Sequence, residues 1–134
     1  MKKIFFAITL LILIYVGGIM AQTRGEGWPP ADMLEKYGLT GMVLPAGMED
    51  PQWNEERDVP CVHIRFDGTN NTLTAIKDWL TGNRYILDSD ETSGSDIKLR
   101  YNYSETDEEG ETWLIFKVEV VFDGRMGYIR AIEN

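Results

Sequence analysis

Chemistry in this chain would have to come from a short supply of residues. There is one histidine and one cysteine, two apart in PCVHIRF as Cys61 and His63. Alternation along an extended segment puts both on the same side. Cysteine beside histidine can pair a nucleophile with its base. The spacing works against that use. Neighbours on one side of a strand stand roughly 6.5–7 Å apart and run parallel, whereas catalytic groups converge from separate segments on one reacting atom. A zinc site needs more histidine and cysteine ligands than the chain holds. No phosphate loop or dinucleotide glycine pattern occurs. No catalytic residue is therefore assigned and no cofactor is expected. Paired carboxylates, as in a small secreted hydrolase, remain an alternative, since acids abound although no spacing singles out two.

The acids cluster in two places. DSDETSGSD, Asp88 to Asp96, invites comparison with a helix-flanked calcium loop. That motif needs glycine at position 6 and glutamate at position 12. Counting from Asp88 gives Ser93 and Leu99 instead. A looser cation site at Asp88, Asp90 and Asp96, in a calcium-stabilised structural domain, is a further alternative. The plainer reading is a solvated hairpin loop. The second run, Glu105 to Glu111, closes the next hairpin and belongs at the other end of the sheet.

The elements that position these groups are marked by turns and periodicity. WPPADMLEKYGL has prolines for a first turn, Asp32 near the positive helix start, and Gly38 as a C-terminal cap. TGMVLPAGMEDPQWNEERDVP predicts an extended, irregular segment pinned by Trp53, with one short strand at Gly41 to Leu44. Val62, Ile64 and Phe66 alternate with Cys61, His63 and Arg65, which predicts a half-buried strand. Leu73, Ile76 and Leu80 recur at helical spacing after Asn70 or Asn71 as cap, and Gly82-Asn83 ends the helix. RYIL begins another strand.

Asp123-Gly124 is a two-residue hairpin signal. It places Phe122 opposite Arg125, Val118 opposite Ile129, and Lys117 opposite Arg130. A four-residue loop at Asp107 to Gly110 pairs Tyr103 with Leu114, Tyr101 with Phe116, Leu99 with Val118, and Ile97 with Val120. One face is then wholly apolar, and a one-residue slip would destroy it. The fold expected is α+β: a four- to five-stranded mainly antiparallel sheet ending in a C-terminal meander, with one long and one short helix packed on one face.

The same register aligns Arg100, Lys117 and Arg130 across three strands on the other face. Like charges directly opposite are unfavourable, so such a row suggests an anion-receiving surface. Trp113 and Tyr128, with Ile115 and Met126, would add apolar contact there. These five residues, Arg100, Lys117, Arg130, Trp113 and Tyr128, are the candidate binding set. The plainer alternative is that Glu119, the acidic N-terminal segment or loop acids neutralise the row.

The opening MKKIFFAITLLILIYVGGIMAQ has lysines, an apolar run and Ala21 before a cut, the order of a secretory signal peptide. The expected organisation is a signal peptide at 1–21, a flexible lead-in at 22–27, and one domain at 28–134. Losing Lys2 and Lys3 moves the formal charge from −9 to −11. So acidic a domain repels nucleic acid and anionic lipid. A lone cysteine allows no internal disulfide. The expectation is an exported, non-catalytic interaction module, periplasmic or extracellular, soluble after signal cleavage. It would bind a protein or glycan partner that carries anionic groups.

WPPADMLEKYGL…LPAG, followed by a strand, a helix and an acidic meander, resembles small exported bacterial proteins of unknown function. The resemblance implies export and one compact α+β domain. It supplies no functional residues.

Overall fold

A computed structural model describes residues 23–134. The expected signal peptide at 1–21 lies outside the described residues. The strands are β1 (Arg24–Glu26), β2 (Glu49–Glu56), β3 (Cys61–Asp67), β4 (Ile86–Asp90), β5 (Ile97–Thr106), β6 (Thr112–Phe122) and β7 (Met126–Glu133). The helices are α1 (Ala31–Lys36) and α2 (Asn70–Gly82). All seven strands join one sheet in the order β1-β2-β3-β7-β6-β5-β4, and every neighbouring pair is antiparallel. Two meanders, β1–β3 and β4–β7, meet where β3 pairs with β7, and α2 links them.

The expected four- to five-stranded sheet with one long helix is corrected by this topology. Seven strands dominate, and both helices are short, six and thirteen residues. The extra strands are β1 and β2. The lead-in expected to be flexible pairs Arg24, Gly25 and Glu26 with Asn54, Trp53 and Gln52. β2 is the EDPQWNEE stretch expected to be irregular. Its Pro51 has no N–H to give a ladder. The register shifts between Glu49 and Gln52, and Asp50 there takes a φ of 49°. That bulge accommodates the proline. No strand forms at Gly41 to Leu44, where Val43 and Leu44 are exposed.

Both helices cover the same face. Leu73, Ile76 and Leu80 of α2, with Met33, Leu34 and Tyr37 around α1, join one core with Val62, Ile64, Phe66, Leu99, Tyr101, Val118, Val120, Phe122 and Ile129. Gly38 takes a φ of 82°, and the Leu39 N–H donates back to the Leu34 carbonyl at 2.8 Å, so α1 ends as expected. Thr69, not Asn70 or Asn71, caps α2, and its N–H donates to Thr72 Oγ1 at 3.1 Å.

The expected strand register is corrected by two residues in both C-terminal hairpins. Tyr103 pairs with Phe116, Tyr101 with Val118, Leu99 with Val120, and Ile97 with Phe122. Across the next pair, Val120 meets Ile129 and Phe122 meets Gly127. The cause lies in the loops. Asp123 Oδ1 accepts the N–H groups of Arg125 and Met126 at 2.9 and 2.8 Å. The chain therefore turns over Asp123–Met126 rather than two residues. Asp107 Oδ1 likewise accepts from Glu109 and Glu111, lengthening that loop by one, and a bulge between Tyr103 and Ser104 adds another. An even shift keeps the same side chains on the core face.

Candidate functional site

The sheet face away from the helices is uncovered by any described element. Its pattern follows from the true register. Arg100 lies opposite Glu119, Glu119 opposite Arg130, and Arg130 opposite His63. The expected row of three adjacent cations is therefore corrected: Glu119 occupies the middle place. Lys117 falls in the next row, between Asn102 and Ile132.

Glu119 gathers its neighbours. The Tyr128 hydroxyl donates to its Oε1 at 2.6 Å, and Arg100 Nε donates to its Oε2 at 3.3 Å. Burial pushes this carboxyl up, but the bonds from Tyr128 and Arg100 outweigh burial and hold it below the usual carboxylate range. Tyr128, partly buried and bonded to that carboxylate, is pushed up to about 12. Its ring stacks on His63 with centroids 4.7 Å apart. Burial lowers His63 and favours the neutral imidazole.

Arg130 turns the other way. Its guanidinium donates to Glu56 Oε2 at 3.2 Å. The same oxygen accepts from the buried Cys61 thiol at 3.1 Å. Burial, and then the Glu56 bond, push that thiol up. A buried thiol held protonated is a poor nucleophile, and the His63 ring is committed to Tyr128. The two groups share a face without sharing a reacting centre.

The cations that remain available sit beside Glu119. A cavity of about 360 Å³ opens over β5 and β6, lined by Arg100, Asn102, Lys117 and Glu119, by Leu114 and Ile132, and by Asp88 at its β4 side. Arg100 is exposed and bonded only through Nε among the described residues. Lys117 is exposed and forms no ion pair with any described residue. Of the candidate binding residues, the fold brings Arg100 and Lys117 to the cavity. Tyr128 supports it through Glu119, and Arg130 is engaged elsewhere.

Trp113 is placed differently from expectation. The bulge sets Ser104 opposite Leu114 and Glu105 opposite Trp113. Leu114 thereby moves to the open face, and Trp113 to the side of Glu105, whose carboxylate accepts from the core-side Tyr103 hydroxyl. The indole is exposed, and its Nε1 donates to Asp107 Oδ2 at 3.2 Å. Asn102, Leu114 and Ile132 were not foreseen. Asn102 and Ile132 follow Arg100 and Arg130 by two and lie on the same face by alternation. Only the bulge, which no sequence signal marks, brings Leu114 there.

The acidic stretch divides between strand and turn. Asp88 and Asp90 belong to β4, whose register shifts between Leu87 and Ser89, while Ser93 and Asp96 form a bridge in the turn. Thr92 donates to an Asp90 carboxylate oxygen. Among the described residues, no group of three or more His, Cys, Asp or Glu is arranged to hold a metal ion, and no helix is long and apolar enough to cross a membrane.

No protein-family model matches the chain, and no curated protein or solved structure matches it either.

Proposed function

We propose that this protein is an exported, non-catalytic binding module that holds an anionic group of a protein or glycan partner on its open sheet face. The observation that carries the reading is the cavity over β5 and β6, where Arg100 and Lys117 stand together. On the open face of β5, β6 and β7 the cations are Lys98, Arg100, Lys117 and Arg130, and the only carboxylate is Glu119. That balance is opposite to the chain as a whole, whose formal charge is −9. Clustered cations on an otherwise acidic protein concentrate anion attraction at that face. Glu119 engages Arg100 through Nε alone, which leaves the two terminal nitrogens of the guanidinium for a ligand. Export is part of the same proposal, supported by Lys2, Lys3 and the apolar run that ends before Ala21.

The test is a titration of the purified protein with acetate, an acidic peptide and a sulfated polysaccharide at low and high salt. At least one should bind, more weakly as salt rises. The double variant Arg100→Ala, Lys117→Ala should lose about tenfold or more in affinity while melting at the parent temperature. Equal affinity for parent and variant would place the contact elsewhere.

A further inference from the structure

Resting on that reading, we propose that the cavity takes the free carboxyl terminus of a polypeptide whose last side chain is aliphatic. The lining supports this ligand group by group. Lys117 has no ionic partner among the described residues, and Arg100 spends only its Nε on Glu119. An ammonium and the free edge of a guanidinium suit the two oxygens of one carboxylate. Asn102 stands in register with Lys117. Its amide both donates and accepts, as a peptide group requires of its neighbour. Leu114 and Ile132 line the same cavity and offer apolar surface to an aliphatic side chain.

The charges argue for a single carboxylate rather than a polyanion. Glu119 and Asp88 share the lining with the two cations. A second negative group on the ligand would meet one of these acids, and beyond them the acidic body of the protein. A chain end offers one negative charge followed by neutral backbone.

The aromatic residues point the same way. Sugars are usually gripped by stacking a ring face on an exposed aromatic side chain. Trp113 has been carried to the other face by the bulge, and Tyr128 is bound to Glu119 and stacked on His63. Tyr101 borders the cavity, but its side chain is buried in the core. At about 360 Å³ the cavity lies near the small end of ligand sites, roughly 300–1,000 Å³. It suits one or two terminal residues rather than an extended chain.

The experiment is an NMR titration of the purified protein with three probes. These are an acetylated glycine–serine peptide ending in leucine as its free acid, the same peptide as its C-terminal amide, and chondroitin sulfate. The free acid should bind with a Kd of about 0.1–1 mM and shift the Leu114, Lys117 and Ile132 resonances. The amide should bind about tenfold more weakly or worse, and Lys117→Ala should cause a similar loss for the free acid. Leu114→Ser should weaken binding of the free acid while leaving the acid–amide difference in place. Equal binding of acid and amide would overturn the inference. Binding of chondroitin sulfate alone, lost in Lys117→Ala, would overturn it and leave the anion-binding reading standing. Failure of all three probes would overturn both.

Discussion

Glu119 is the residue on which the open face turns, and its energetics can be separated by pH. Its side chain is only 18% exposed yet stays ionised through Tyr128 and Arg100. Glu119→Ala removes an acceptor from both and sets Arg100 and Arg130 on either side of an empty place. The expected loss is about 1–3 kcal/mol near neutral pH, read by urea unfolding. A carboxyl whose folded pKa is depressed contributes stability above its unfolded value of 4.5, and that contribution is lost as pH falls through the folded value. The gap between parent and variant should therefore narrow below about pH 4.5. A constant gap down to pH 3 would mean that packing, not charge, accounts for the loss. His63 occupies a separate window. Burial lowers it from 6.5, so the unfolded chain binds its proton first as pH falls. Stability should decline below about pH 6.5, and His63→Gln should flatten that decline between pH 7.5 and 5. Equal slopes in parent and variant would remove His63 as the cause.

At the scale of elements, Gly127 shows how a strand serves the layer above it. It lies between Phe66 on β3 and Phe122 on β6, and those two rings stack with centroids 6.0 Å apart. A Cβ at Gly127 would come 2.1 Å from the Val121 carbonyl oxygen and 3.1 Å from the Phe122 ring. Gly127→Ala should therefore cost about 1–3 kcal/mol or more, with the Phe122 ring resonances displaced. A neutral melting temperature would show that β6 and β7 slide apart freely. The same hairpin explains what could be read from the chain. Alternation in β5 and β6 was legible, and because the total shift in each hairpin is two residues, Leu99, Tyr101, Val118, Val120 and Ile129 were assigned to the core side correctly. Which residues stand opposite one another was not legible. It depends on side-chain bonds made by Asp107 and Asp123 inside their turns, and on a bulge with no marker residue. β2 was hidden for a different reason. Glu49, Asp50, Gln52, Asn54, Glu55 and Glu56 carry no apolar period, and only Trp53 is buried. Pairing with β1 and β3 makes it a strand. Alternation alone puts Arg100 and Lys117 on the open face, but their separation by a row required the true register.

At the scale of the whole molecule, the sheet is two meanders joined along one seam. β3 and β7 pair over Cys61–Asp67 and Met126–Ile132, and a single core cluster runs from Trp53 and Val62 on one side to Leu99 and Tyr101 on the other. Helices α1 and α2 lie over that continuous layer, so neither meander has a core of its own. The two should therefore unfold in one transition, as small single domains usually do. Ile129 is the place to test this. It is fully buried, lies opposite Ile64 across the seam and opposite Val120 within the C-terminal meander. Ile129→Ala should cost about 2–5 kcal/mol. If the sheet is one cooperative unit, the slowest-exchanging amides of β2 and β5 should lose the same protection free energy, although they lie on opposite sides of the seam. A loss confined to β5 and β6 would show that the meanders open separately. The open-face cavity, built wholly from β4–β7, would then survive unfolding of β1–β3, and the proposed anion binding would persist after the first of two transitions.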